Sequence, residues 1–455
     1  MQGFCILAQK SGRKMKGKSP NQDQLNLFKP ILKQIINPGH ELVILADKYP
    51  WAELEKEFSV LYSNTGAPAK PIRLMVGLLL LKQMFNYGDE TIVQAWVQNP
   101  YYQYFCGEVE FQWEYPCDPS DLVHFRKRID KQGVEKIFLY SVRIQGKRSL
   151  NKKDLLVDTT AHEKNITFPT DVKLYRRIVE KCNKIAKKEG IELRQSYTRT
   201  IKRLMLQQRF SHHPRRRKQA NKAKRKLRTV AGRITRDLER KLNANQRLLY
   251  DDQIIIFKKV LSQKRNDRNK IYSLHEPEVS CIAKGKAHKP YEFGSKASFA
   301  LLPKSNIIVG VVNYPGNPHD SQTLEDTLQH AEKITERKFD NVIVDRAYKG
   351  KKKIGDTQII IPGKKAKTIS QQQRMRRKCR SRAAIEPIIG HIKYDCRMLK
   401  SYLKGTKGDE INALLAASAF NMRQLLRKIR EEINFAVFQV LQFFEIQNIL
   451  CLNLS

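Results

Sequence analysis

Two short apolar runs, far apart in the chain, each close on an aspartate, and this repeat constrains the fold more than any other feature. Leu155 to Val157 lead into Asp158 within KKDLLVDTTAH, and Val342 to Val344 lead into Asp345 within FDNVIVDRAYKG. A short run of this kind reads as a central strand that delivers a carboxylate to one edge of a sheet. A third carboxylate, Glu386, lies in SRAAIEPIIGHIKYDCRM, where the apolar spacing is helical. Three converging carboxylates suit two hard divalent cations and do little else as well.

Charge narrows the partner. The chain carries a formal +41 over 455 residues, with a pI near 9.9. That excess is far beyond what solubility requires and predicts a polyanion held through phosphate contacts. A polybasic membrane-surface protein would need a lipid anchor or an insertion helix, and neither motif is found. The eight cysteines contain no C-x-x-C pair, which argues against a disulfide framework and a structural zinc site. The apolar run in MQGFCILAQKSGRKMKGK is too short for a signal peptide. The apolar tail INFAVFQVLQFFEIQNILCLNLS is interrupted by Gln439, Glu445 and Gln447, too often for a membrane span. The expectation is a soluble, intracellular protein.

Four regions follow. Residues 1–65 read as a basic, partly disordered start with short helices. Residues 66–150 read as a helical DNA-binding domain. Its breaks fall at Asn86 to Asp89 and before Pro100, and Asp118 to Asp121 form a turn and N-cap. The helix after that cap carries Arg126, Lys127 and Arg128, suited to lie along DNA, although a solvated basic face is an equal reading. Residues 151–430 read as an α/β catalytic domain, a mixed sheet flanked by helices, with strands over EVSCIAKG, KPYEFGSKASFALL, NIIVGVVNYPGN, NVIVD and TQIIIPG. SQTLEDTLQHAEKI reads as a helix capped by Asp320 or Ser321. A basic helical insertion, 171–273, interrupts this domain. Residues 171–250 hold 26 lysines and arginines against 6 acids. Its apolar spacing predicts an antiparallel hairpin of two long helices, reversing at SHHPRRRK, with Arg215, Arg216 and Arg217 as phosphate contacts. Residues 431–455 form the apolar tail.

With these residues in place, the chain resembles the DDE transposases of bacterial insertion sequences. The order Asp158, Asp345, Glu386 is theirs, and of the Y-x2-R-x3-E-x6-K signature the chain holds Arg382, Glu386 and Lys393, with Cys379 at the tyrosine position. IEPIIGHIKYDCRM and LLAASAFNMRQLLRK are most similar to the IS-five branch of that group, as are the N-terminal helices up to FRKRI. The resemblance implies an RNase H-like core, with Asp158, Asp345 and Glu386 as catalytic residues and ligands of two Mg2+ ions, for which Mn2+ substitutes. It also implies cleavage at element ends and attack of the freed 3′-hydroxyl on target DNA. The implied partners are terminal inverted repeats, target DNA and a second copy of the chain, with no membrane, in the bacterial cytoplasm at the nucleoid. Arg382 and Lys393 sit four before and seven after Glu386, so a continuous helix returns both to nearly its face, where they could hold phosphate. Pro387 leaves two options: a helix that begins there and loses the Arg382 alignment, or a kinked one.

Each residue also has an ordinary reading. A lone strand-ending aspartate is often a turn residue or a cap. His391 fits a structural histidine, Asp395 a partner of Arg397 or Lys393, and Asp320 a cap. His162 and Glu163 are site-adjacent candidates. The alternative function is a domesticated or inactive descendant, acting as a sequence-specific DNA-binding protein or a simple nuclease. No Walker A loop or G-x-G-x-x-G follows any strand, which argues against an ATP-driven motor.

Overall fold

Hydrophobicity on all sides sends a helix to the centre of a structure, and α4 (Ile72–Met84) obeys that rule. In the computed structural model, which describes residues 15–17, 20, 28–63, 65–284, 289–348, 350, 352–363 and 368–452, every residue of α4 except Arg73 is buried. Around it stand α1 (Leu32–Ile35), α2 (Glu41–Lys48), α3 (Trp51–Ser59), α5 (Asp89–Gln98), α6 (Pro100–Phe105), α7 (Pro119–Arg143) and α8 (Lys147–Leu150). The breaks fall at the sequence signals: Pro100 opens α6, and Asp118 caps α7 by accepting from Ser120 N at 2.8 Å. Asp130, at φ 51° and ψ −166°, interrupts α7, and α7 packs on the C-terminal helix. Residues 1–14, which hold most of the segment read for a signal peptide, lie outside the described residues.

The sheet is mixed and built on β1 (Asp154–Lys164). One edge of β1 pairs antiparallel with β3 (Tyr291–Leu301), Asp158 opposite Phe299. The other edge pairs parallel with β5 (Asn341–Ile343) and, further along, with β8 (Lys400–Ser401). Outside β3 lie β2 (Ser280–Ala283) and β4 (Ile308–Tyr314), both antiparallel to it. Outside β5 lie β7 (Thr357–Ile360), parallel, and then β6 (Lys353–Ile354), antiparallel. Leu155, Leu156 and Val157 are fully buried. The crossover α13 (Asp320–Thr335) packs on β4 so closely that a Cβ on Gly310 would come within 3.0 Å of the Ala331 Cβ, so only glycine fits there. The N-cap of α13 is His319, not Asp320 or Ser321, because the Asp320 side chain is engaged elsewhere.

Residues Leu42 to Ile429, apart from the insertion, share one hydrophobic core, so the N-terminal helices and the sheet are packed as one body. Between β1 and β2 the chain leaves that body and builds a second core of its own. The insertion has four helices rather than the two expected: α9 (Asp171–Lys188), α10 (Thr198–Gln208), α11 (Arg217–Lys241) and α12 (Ala244–Ser262). The expected reversal is present, as a turn with a 3-10 segment at Pro214–Arg216. Two further breaks have local causes. Gly190, at φ 65°, follows α9 in the left-handed region, and Asn243 caps α12 reciprocally with Gln246. A buried trio clamps the exit and return of this segment. Lys164, the last residue of β1, lies 3.3 Å from Glu276 and 2.8 Å from Asp409.

Beyond β7, α14 (Ile369–Ser381), a 3-10 turn (Arg382–Ala384) and α15 (Ile385–Tyr394) lead to β8 and the long α16 (Gly405–Leu452). The first half of α16 is buried against α4, α7 and β4, whereas Phe435, Val437 and Phe438 are exposed. Among the described residues, no helix is long and apolar enough to cross a membrane, and Cys106, Cys117, Cys182, Cys281, Cys379 and Cys396 are free thiols.

Candidate functional site

Asp158 sits within β1, whose pairing with β3 continues well past it, so the aspartate lies mid-strand rather than at a strand end. Its Oδ1 accepts from the backbone of Thr159 at 2.9 Å. Asp345 follows β5, in a turn where the amide of Tyr348 donates to the Asp345 carbonyl. The parallel pairing of β1 with β5, with Leu156 opposite Ile343, sets these two aspartates side by side. Glu386 lies in the first turn of α15, where the helix dipole favours an acid.

Arg382 joins all three. Its Nη2 lies 3.2 Å from Asp158 Oδ2 and 3.3 Å from Asp345 Oδ2, and its Nη1 lies 3.5 Å from Glu386 Oε1. The alignment survives Pro387 because residues 381 to 385 stay in the right-handed helical region through the 3-10 turn. Pro387 falls in the first turn of α15, where amides lack a partner within their own helix. The site is walled on one side and open on the other: the Asp158 side chain is 16 % exposed, that of Asp345 44 % and that of Glu386 68 %. Burial pushes the Asp158 carboxyl up to about 6; Arg382 opposes the shift, and Asp345 and Asp320 add to it.

Sequence reading missed three neighbours, Lys296, Lys378 and Tyr348. Asp320 accepts from Thr159 Oγ1 at 2.7 Å and from Lys296 Nζ at 2.9 Å, behind Asp158. Lys378, one turn before Arg382, pairs with Asp154 at 2.9 Å, so α14 and β1 are joined at two successive acids. Tyr348 is buried, and burial, with Asp158 and Asp320 nearby, pushes its phenol well up. The signal for Tyr348 was its place three residues after Asp345; Lys296 and Lys378 had none, since they arrive from other elements.

The donor set suits a hard cation in its chemistry, three carboxylates directed at one shared positive group. Among the described residues, no three acidic, histidine or cysteine side chains stand close enough to enclose a metal ion as they are placed. The guanidinium fills the shared position. Its charge serves there as a stand-in for a cation.

The basic residues fare unevenly. Arg126 is buried and grips Asp89 with both arms, at 2.8 and 2.7 Å, beside Lys82. It is a core ion pair and is withdrawn as a DNA contact, since an apolar helix face carried it inward. Lys127 is exposed, and Arg128 lies over the Tyr62 ring at 4.6 Å. Arg215 and Arg216, in the turn before α11, and Arg217, its first residue, are exposed, with Arg216 over Phe210 at 4.9 Å. Lys393 is on the Glu386 face but two turns along α15, and its charged neighbours are Glu292, Lys284, Glu163 and Lys289. Burial pushes the Lys393 ammonium down. His162 is fully buried between Asn313 and Asn412, a structural role. Glu163 pairs with Lys289. Asp395 pairs with His391 and Arg423, not with Arg397 or Lys393. Cys379 is half-buried against the main core.

Comparison with known proteins adds two family matches and one relative. Residues 30–128 match the model of a transposase domain (DUF772), and residues 263–422 match the model of a transposase DDE domain. The second match contains Asp345, Arg382 and Glu386, and Asp158 precedes it. The chain is 42 % identical over 205 residues, 44 % of its length, to an uncharacterized protein of Rhizobium meliloti, ORF8 in the nfe locus, and covers 99 % of that protein. No solved structure matches the chain.

Proposed function

Because this chain belongs to the DDE transposase family, we propose that it cuts the phosphodiesters at the ends of a DNA element and joins the freed 3′-hydroxyls to target DNA. Asp158, Asp345 and Glu386 are the proposed catalytic residues and cation ligands. The observation that carries this reading is their shared contact with Arg382, which brings one central-strand, one turn and one helical carboxylate to a single positive group. The strand order β4-β3-β1-β5-β7, with three antiparallel members followed by two parallel ones, supports an RNase H-like core. The signature residues Arg382, Glu386 and Lys393 support the group that shares them, and the blocks IEPIIGHIKYDCRM and LLAASAFNMRQLLRK support its IS-five branch.

Bound there, Mg2+ or Mn2+ would supply the Lewis acidity that activates water and offsets charge on the phosphate. The chain's own residues do the rest. Asp158, with its carboxyl near 6, is ionised at neutral pH and ready to accept a cation. The open side formed by Asp345 and Glu386 admits a DNA strand, while β1 and Lys378 close the other. Exposed Lys127 and Arg215 to Arg217 would hold the DNA backbone without reading its sequence. Lys393 would meet the strand further from the cut. The site of action is the bacterial cytoplasm, at the nucleoid, and pairing of two element ends calls for a homodimer.

The test is cleavage of labelled DNA spanning the ends that flank the gene, with Mg2+, by the wild type and Asp158→Asn. Cuts at discrete positions that disappear in the variant while DNA binding persists support the assignment. Wild-type protein that binds but never cuts would favour a DNA-binding descendant.

A further inference from the structure

We infer that Arg382 is the resident counter-ion of the carboxylate cluster, that it competes with divalent cations for Asp158, Asp345 and Glu386, and that DNA relieves the competition by offering its guanidinium a phosphate. The inference rests on the proposed role of the three carboxylates as cation ligands. One guanidinium serves all three acids, but through single contacts: Nη2 is divided between Asp158 and Asp345, and Nη1 reaches Glu386. None is the parallel two-point fork in which arginine binds a carboxylate best. Its Nε is buried with no acceptor. Arg382 is therefore held by summed charge and not by a saturated hydrogen-bond set, and it gains a bond by leaving.

The surroundings decide where it goes. Lys378 already neutralises Asp154, and Lys296 already neutralises Asp320, so neither neighbouring acid is free to receive the guanidinium. The exit is toward Glu386, the most exposed of the three carboxylates. A divalent cation entering the cluster would repel the guanidinium at short range, and expelling it without a partner is costly. A phosphodiester at the open side supplies that partner in the geometry arginine prefers. Cation and DNA then strengthen each other's binding by the same factor, as linkage requires. The cluster stays closed on its own arginine until DNA is present.

Mn2+ titration of the full chain tests this, with free Mn2+ read by its paramagnetic resonance. The probes are the metal alone and the metal with a random-sequence DNA duplex, after subtraction of Mn2+ held by the duplex itself. The wild type is expected to bind Mn2+ weakly alone and roughly tenfold or more tightly with the duplex, within the usual range of coupling. Arg382→Gln is expected to bind tightly without DNA and to gain nothing from it, whereas Arg382→Lys, which keeps a cation in place, retains the wild-type pattern. Equal affinity of the wild type and Arg382→Gln without DNA overturns the inference. Should Arg382→Gln fail to fold, a wild-type affinity unmoved by the duplex overturns it instead. Asp158→Asn separates the ligand assignment from the competition: with the duplex present, Mn2+ binding as tight as in the wild type would remove the ligand assignment itself.

Discussion

Asp158 is asked to be two things at once, a buried residue of a central strand and a charge. Burial pushes its carboxyl up from an ordinary 3.8 to about 6, with Asp345 and Asp320 adding to the rise and Arg382 opposing it. Below the unfolded value both states carry the proton and the residue has no pH-linked effect. As pH rises from about 4 to about 6 the unfolded state gives up a proton that the folded state still holds, so stability falls by on the order of 3 kcal/mol in all and is level above that window. Asp158→Asn keeps the shape and removes the charge. The variant is expected to melt above the wild type at pH 8, with the difference shrinking to nothing near pH 4; equal melting temperatures at pH 8 would contradict the strain assigned to this carboxylate. Asp89 shows the opposite case. Burial alone would raise it, but Arg126 and Lys82 hold it down at about 2. The same residue type is therefore stabilised in one place and destabilised in the other, according to whether the basic partners meet it fully.

Among the elements, the joint between α14 and α15 and the insertion α9 to α12 matter most to function. The joint keeps Arg382 and Glu386 four residues apart on one face although a proline follows, because the break is a single tighter turn and not an unwound loop. The insertion holds its basic outer face on a core independent of the sheet. Replacing Arg215, Arg216 and Arg217 by alanine is expected to leave that core folded, since all three are exposed. If each contacts a phosphate, the slope of log affinity against log salt should fall by up to roughly 3 for duplex DNA. An unchanged slope, measured by fluorescence anisotropy, would place the DNA elsewhere.

For the molecule as a whole, α16 is the tie. Asn421 accepts from the amide of Ile308 in β4 and donates to the same residue's carbonyl, both at 2.9 Å, and it also reaches Ser141 of α7. The Asn421 carbonyl in turn accepts from Gln145. Asn421→Leu would fill the space but leave a buried amide and a buried carbonyl unpaired, at about 2–4 kcal/mol. Because the N-terminal helices and the sheet share one core, the loss should lower a single transition that both regions follow by circular dichroism and fluorescence. Separate transitions for the two regions would show that α16 does not couple them.

Much of this was legible along the chain because its causes are local. Apolar runs closing on Asp158 and Asp345, the Asp118 cap, the Pro100 break and the reversal at Pro214 each depend on a few adjacent residues. The four-helix form of the insertion was also written locally, in Gly190 and Asn243, but the single strong proline signal at its centre overshadowed both. What spacing could not supply was partnership. Arg126, Lys127 and Arg128 are consecutive and equally basic, and only packing turned the first inward onto Asp89. Arg382 and Lys393 share a helical face with Glu386, and only the course of α15 along β1 carried one to the carboxylates and the other away toward Glu163. Lys296, Lys378 and Tyr348 entered the site from separate elements. Backbone preference is decided within a few residues, whereas the burial and pairing of a charge depend on groups brought together by the fold, and so the chemistry of this site was decided in three dimensions.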